Sequence, residues 1–275
     1  MKKTITSNID LRKLYLTELF DLSDVEVTGD FSCSVNDLSN LAGAPITVDG
    51  SFYCQSNKLT SLKGAPKSVT GNFYCNDNNL TSLIGAPKSV RGDFQCYNNN
   101  LTSLEGAPKK VRNFWCYNNN LTSLKGAPKD VVDLYDCSYN YLTNLEGAPN
   151  DINNFHCYNN ELTSLKGAPK TTRRSFYCND NHLPDLRGAP KAVGGNFCCH
   201  DNPLTSLIGI PKTIYRNFVI SESFKDVFTE KYIRSLSNIN GEVIYWDSQY
   251  VQYEDDDDYE DIWGEEEDNP FPRRE

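Results

Sequence analysis

The 275-residue chain has no run of eighteen apolar residues, so no segment is long enough to cross a bilayer as a helix. It has no Cys-x-x-Cys pair, which removes the usual zinc-ligand spacing in spite of ten cysteines. It has only three histidines. There is no phosphate-binding loop, no Gly-x-Ser-x-Gly elbow and no His-Glu-x-x-His pair, so the common signatures of nucleotide, acyl and metal-assisted chemistry are missing. Lys2 and Lys3 open the chain, but no apolar segment or small-residue cleavage site follows, a pattern that predicts a protein kept in the cytoplasm. Hydrophobic content is 38%, low for a compact core of this length.

A charge excess is also absent from most of the chain. The net charge of −10 resides in residues 254–275, where twelve carboxylates stand against two arginines. The preceding residues balance 25 bases against 25 acids. A body without surplus base argues against a nucleic-acid partner.

What is present is repetition. CYNNNLTSLEGAP at 96–108 returns as CYNNNLTSLKGAP at 116–128. Gly-Ala-Pro begins at Gly43, Gly64, Gly85, Gly106, Gly126, Gly147, Gly167 and Gly188, and Gly-Ile-Pro at Gly209, in steps of 20 or 21 residues. Spacing of that kind is the mark of a stacked repeat array. The working consensus is F-x-C-x-x-N-x-L-T-S-L-x-G-A-P-K-x-V-x-G-x. Its F-x-C alternation predicts a short strand with one buried face, Phe73 and Cys75 pointing in, Tyr74 and Asn76 pointing out. Leu59, Leu62, Val69 and Phe73 complete an inner core. No single repeat buries its own faces, so stability must come from neighbours stacked about 4.8 Å apart.

With Phe in the first leucine position and Cys in the second, the unit Phe52, Cys54, Asn57, Leu59, Leu62 resembles the LxLxxNxL core of a leucine-rich repeat. The resemblance runs over residues 9–223. The short period, with Pro on the return path, is similar to the short bacterial class, and Asn-rich LTSLxGAP arrays are similar to proteins encoded by large bacteriophages. The resemblance implies a leucine-rich repeat solenoid with a parallel β-sheet on the concave face, an extended or loop convex side, and partner binding on the concave face.

Four regions are expected, with about eleven strands. Residues 1–30 form an N-terminal capping repeat, with Ile9 and Leu11 in the Phe and Cys positions. Residues 31–223 are the solenoid. Residues 224–253 are a C-terminal cap, in which Ser223 and Asp226 have capping-box spacing. Phe224, Val227, Phe228 and Tyr232 share a helical face there, and GEVIYW adds a short strand. Residues 254–275 are a disordered acidic tail.

Nine cysteines fall in one inward column, too far apart from strand to strand to bridge. They are expected to be reduced core residues, which implies a reducing compartment. Cys198 precedes the column residue Cys199, so alternation points it outward as an exposed thiol. The Asn column from Asn36 to Asn202 is structural, satisfying backbone groups where each strand turns.

The inward columns barely change along the array, whereas the two outward columns do. They carry Tyr53, Tyr74, Tyr97, Trp115, Tyr117, His156, Tyr158 and Tyr177, the candidate partner-binding residues. Tyr and Trp give large rigid contacts at low entropic cost. A second exposed column, Lys67, Lys88, Lys109, Lys129, Lys170, Lys191 and Lys212, forms a ridge after the prolines, either a solvated turn or an anion site for the acidic tail.

Catalysis is not expected. His156, His182 and His200 belong to repeats, and no cysteine follows Cys199, which removes the nucleophile of a ligase domain. Asp77, Asp180 and Asp201 make no continuous column for calcium. No cofactor or metal is implied. The function expected is a non-enzymatic protein-interaction module that binds a protein partner through the Tyr/Asn-rich concave face, with a host factor as the target of a phage-encoded chain. A structural or particle-associated phage protein, found with the virion, and a carbohydrate-binding solenoid remain as alternatives.

Overall fold

The structure is a computed structural model that describes residues 3–247. Each repeat makes one coil of a stack of parallel strands. Twelve of them form one sheet in chain order: Ile9–Asp10, Phe31–Ser32, Phe52–Tyr53, Phe73–Tyr74, Phe94–Gln95, Phe114–Trp115, Leu134–Asp136, Asn154–His156, Phe176–Tyr177, Phe197–Cys198, Phe218–Ser221 and Val243–Trp246. The register pairs like with like, Phe52 against Phe73 and Phe94 against Phe114. This is a leucine-rich-repeat-type β-solenoid with very little helix. The return path is more ordered than an extended loop. Its x-Val dipeptides, such as Ser68–Val69 and Ser89–Val90, pair in parallel as well and build three smaller sheets.

Uniform coil length lets identical side chains stack into files. From Phe31 to Phe218 the inward rings follow one another at 5.2 to 6.0 Å between centroids. Each is fully buried, as are Leu59, Leu62 and their equivalents. Burial of each such side chain is worth roughly 1.5–3 kcal/mol. Tyr135 takes a Phe position in this file, and its hydroxyl is buried beside the Cys116 thiol.

The nine column cysteines are buried, and all ten are free thiols. Each of Cys54 to Cys199 in the column donates to the carbonyl of the next strand, Cys116 to Asp136 at 3.3 Å for example. The Asn column closes the strand ends. Asn119 Nδ2 donates to the carbonyls of Cys96, Cys116 and Tyr117 at 3.1, 3.2 and 3.1 Å, and its Oδ1 accepts from Leu101 N at 2.9 Å. One amide thus satisfies four backbone groups, each of which would cost about 1–3 kcal/mol if left buried and unpaired.

The sharp bend before each Asn puts a non-glycine residue in the left-handed region, φ near 50° from Val35 through Asp201. Asn and Asp tolerate that conformation best, and most of the column uses them or a small residue. The Gly of the Gly-Ala-Pro turn is required on two counts. Gly106 has φ +98°, and a Cβ there would lie 2.4 Å from the Leu83 carbonyl oxygen.

The ends differ from expectation in one respect. Ile9–Asp10 and Lys3–Ile5 continue the two strand files at the N-terminus, and Val243–Trp246 adds a strand parallel to Phe218–Ser221. The C-terminal helix, however, does not start at Ser223. Glu222–Phe224 is a single 3-10 turn, and the helix is Glu230–Leu236, capped by Thr229, whose hydroxyl accepts from Tyr232 N. Phe228 and Ile233 are buried, whereas Val227 and Tyr232 are exposed, because the chain re-enters extended geometry at Thr229 and splits the expected face. Among the described residues no helix is long and apolar enough to cross a membrane. The acidic tail at 254–275 lies outside the described residues.

Candidate functional site

The side of the main sheet opposite the Phe file carries the two outward columns. In register the first runs Tyr53, Tyr74, Gln95, Trp115, Asp136, His156, Tyr177, Cys198, Val219, Ile244. The second column lies two residues later along each strand. All eight candidate residues therefore share one face.

They do not share one environment. Tyr53 and Tyr74 stack at 5.0 Å and 17°, and Tyr97 and Tyr117 at 4.5 Å and 6°. These four rings and Trp115 are part-exposed. Burial raises the Tyr74 hydroxyl above its ordinary pKa, opposed by the Asn72 amide that donates to it at 2.7 Å. Further along, His156 lies 4.8 Å from the Tyr177 ring and 6.2 Å from Tyr158, and Tyr158 is edge-on to Tyr139 at 5.4 Å.

Tyr158 and Tyr177 are buried, each 9% exposed, in a second apolar cluster with Cys198 and Val219. Ile244 and Trp246 of the last strand pack on it. Cys198 points outward as alternation requires, but it is buried rather than exposed. Its surroundings are apolar, and burial pushes its thiol pKa up strongly. The expectation of a reactive surface thiol is therefore corrected: the neighbouring coils and the capping strand cover it.

Between the two halves sits Asp136, in the first outward column between Trp115 and His156. Its side chain is 10% exposed. One oxygen accepts from Ser138 N at 2.9 Å and from the Ser138 hydroxyl at 2.6 Å. The other lies 3.6 Å from His156 Nδ1, beyond hydrogen-bond range. Two other acceptors on this face, Gln55 Oε1 and Asn76 Oδ1, are buried without a partner.

Along one edge of the face, the residues at and after the sharp bend line an open groove of about 660 Å³ that includes Asn118, Asn120, Tyr139, Tyr141, Glu161 and His182. Exposed amides there form a second short ladder, Asn118 to Asn98 at 2.7 Å and Asn98 to Asp77 at 2.8 Å. The signal for this edge was in the sequence as the Asn-Asn-Asn runs, which a reading confined to strand alternation passes over.

The one group of potential metal ligands among the described residues is Asp180, His200 and Asp201, with ligand atoms within 4.8 Å of one another. Each of the three already makes a side-chain hydrogen bond. His200 Nδ1 lies 2.8 Å from Asp201 Oδ2, and Asn179 donates to Asp180 at 2.8 Å. Burial raises the Asp180 pKa, while the His200 hydrogen bond lowers that of Asp201. His200 also stacks on Trp246 at 5.3 Å. The arrangement is a hydrogen-bonded cluster that closes the end of the face.

No protein-family model matches the chain, and no curated protein matches it. Among solved structures it is similar to YopM from Yersinia enterocolitica WA-314, at 16% identity and a TM-score of 0.45, over 78% of this chain and 65% of that one. The chain thus spans less than two thirds of the YopM length. It is also similar to the functional domain of InlJ from Listeria monocytogenes, described as including a cysteine ladder, at 17% identity and a TM-score of 0.33, over 88% of this chain and 73% of that one. At these identities the likeness does not extend beyond the fold.

Proposed function

We propose that the chain is a non-enzymatic interaction module that takes a protein partner on the concave face, across Tyr53, Tyr74, Tyr97, Trp115 and Tyr117. The observation that carries this reading is the stacking of Tyr97 on Tyr117 at 4.5 Å and of Tyr53 on Tyr74 at 5.0 Å. Rings stacked this way are held rigid before any ligand arrives, which lowers the ordering cost of binding. Part-exposed tyrosines offer both ring and hydroxyl, as suits the mixed polar and apolar surface of a protein. A sugar ring needs an open aromatic face, and at both pairs one face of each ring is taken by its neighbour, which disfavours the carbohydrate alternative there. The repeat wording, similar to arrays encoded by large bacteriophages, extends the proposal to a host protein as that partner.

Affinity capture from bacterial lysate tests it. A single retained protein, lost when Tyr97→Ala and Tyr117→Ala are combined in a chain with unchanged circular dichroism, is the expected result. Retention that ignores the double substitution, or glycan binding that depends on it, would overturn the reading.

A further inference from the structure

We infer that the centre of the concave face recognises a cation, and specifically an arginine guanidinium presented by the protein partner, over Asp136. This inference rests on the interaction reading above and supplies the chemistry of its partner.

The first observation is the charge of the face. The two outward columns and the sharp-bend column, from Ser32, Ser34 and Val35 through Cys198, His200 and Asp201, make 27 positions in nine coils, and none is Lys or Arg. Four are aspartates: Asp77, Asp136, Asp180 and Asp201. The same coils place lysine at seven ridge positions on another side, all exposed. The chain segregates its charge around these nine coils, and Lys and Arg enter the face proposed to bind only at the N-terminal coil, as Arg12 and Lys13, far along the array from Asp136.

The second observation is the state of Asp136. Its side chain is nine-tenths buried, and among the described residues the basic group beside it is the His156 ring at 3.6 Å. A carboxylate so far removed from water carries a desolvation cost of several kcal/mol unless a cation compensates it. Ser138 engages one of its oxygens, leaving the other on the His156 side.

The third is the frame. Trp115 and His156 flank Asp136 in the same column, with Tyr117 and Tyr158 in the next. A carboxylate with aromatic residues at the neighbouring register positions is a setting for a cation, which gains both charge pairing and the attraction of the ring quadrupoles. Arginine fits better than lysine because its guanidinium is planar, stacks on rings and sheds water at less cost. Buried acceptors without donors at Gln55 and Asn76 extend the preference for a donor-rich partner along the face.

The test uses the full chain and a fluorescein-labelled nona-arginine peptide, read by anisotropy, with the nona-citrulline peptide as the uncharged isostere. Asp136→Asn keeps the shape and the capacity to accept from Ser138 while removing the charge. Two controls separate the sites. Tail carboxylates at 254–268 converted to amides remove any binding to the tail, and Tyr97→Ala with Tyr117→Ala removes the aromatic surface. The expected result is binding of the arginine peptide alone, weakened at least tenfold by Asp136→Asn and retained when the tail is neutralised. Undiminished binding by the Asp136→Asn chain, with loss in the tyrosine double variant, would overturn the cation site and leave the interaction reading standing. Indifference to both sets of substitutions would overturn the two together. Shielding of all thiols in each variant shows that the solenoid has stayed closed.

Discussion

Tyr53–Tyr74 and Tyr158–Tyr177 are products of one repeat template, in one pair of outward columns, and they end in different states. The first pair is part-exposed and stacked. The second is buried, under cover of Val219, Ile244 and Trp246. Backbone position does not decide the difference. The first pair is followed in its column by the polar Gln95, whereas Tyr177, in that same column, is followed by Cys198, Val219 and Ile244, and Tyr158 of the next column packs with them. A run of apolar outward residues across consecutive coils, closed by a capping strand, turns part of a recognition face into a second core. The array thus carries a wet half that offers contacts and a dry half that fastens the C-terminal cap.

The largest expected effect tests whether the dry half is dry. Burial raises the Cys33 pKa from 9.0 to about 12, and the remaining thiols are pushed up as well. The unfolded chain releases these protons from about pH 9 upward, and the folded chain holds them. Above that pH the unfolded state binds fewer protons, so stability falls as pH rises, and the folded thiols, held up by burial, do not offset the loss in this range. Each contributes about 1.4 kcal/mol per pH unit, and ten together on the order of 10 kcal/mol. That matches the whole stability of an ordinary domain, roughly 5–15 kcal/mol. The chain should be folded at pH 8 and largely unfolded near pH 10 by circular dichroism. At pH 8 none of the ten thiols should react with a disulfide reagent until denaturant is added. Nine silent thiols and one fast one would return Cys198 to the surface and erase the dry half.

A pair of truncations sharpens the comparison with a smaller effect. Tyr177→Ala removes a buried ring from the second cluster and should cost about 3 kcal/mol, in the range of aromatic cavities. Tyr53→Ala removes one member of a part-exposed stack and should cost about 1 kcal/mol or less. Urea melts of the two variants measure the gap directly. Equal losses would mean that the two halves do not differ in packing.

The same contrast explains what the sequence made legible. The Phe, Cys, Leu and Asn files could be read because each residue meets copies of itself on both sides, so one coil predicts the next. Cys116 and Asn119 are examples, placed from their period alone. Alternation also gave the direction of Cys198, Tyr158 and Tyr177. Their burial depends on which residues adjacent coils and the last strand set beside them, and that is not periodic. Asp136 went unnoticed for a related reason: a carboxylate in a variable outward column reads as solvated until Ser138, His156 and the rings around it are placed. The helix start failed differently. Ser223 and Asp226 have the right spacing, but Phe224 packs on Phe228 at 5.5 Å in a tight turn, and Tyr245 donates to the Phe228 carbonyl at 2.7 Å. Helix formation then resumes only after Thr229, whose side chain supplies the cap.

The smallest expected effect lies on the lysine ridge, where neither half has a stake. The ridge is a continuous backbone file, with Lys88 N donating to the Lys67 carbonyl at 3.1 Å and Lys212 N to that of Lys191 at 2.9 Å. Like charges one coil apart fall inside the roughly 8 Å screening length of physiological salt, so they repel. Lys88→Ala relieves part of that repulsion and removes an exposed side chain. It should therefore shift stability by no more than about 0.5 kcal/mol, toward greater stability in low salt, with the gain vanishing at high salt. Loss of more than 1 kcal/mol in low salt would reverse the sign of the electrostatic argument. It would mean that the ridge is stabilised by an anion, and residues 254–275 supply the only concentrated negative charge in the sequence. Repeating the melt with the tail carboxylates converted to amides would then tell whether that anion is the chain's own: the cost of Lys88→Ala would disappear with the tail charge, or persist without it.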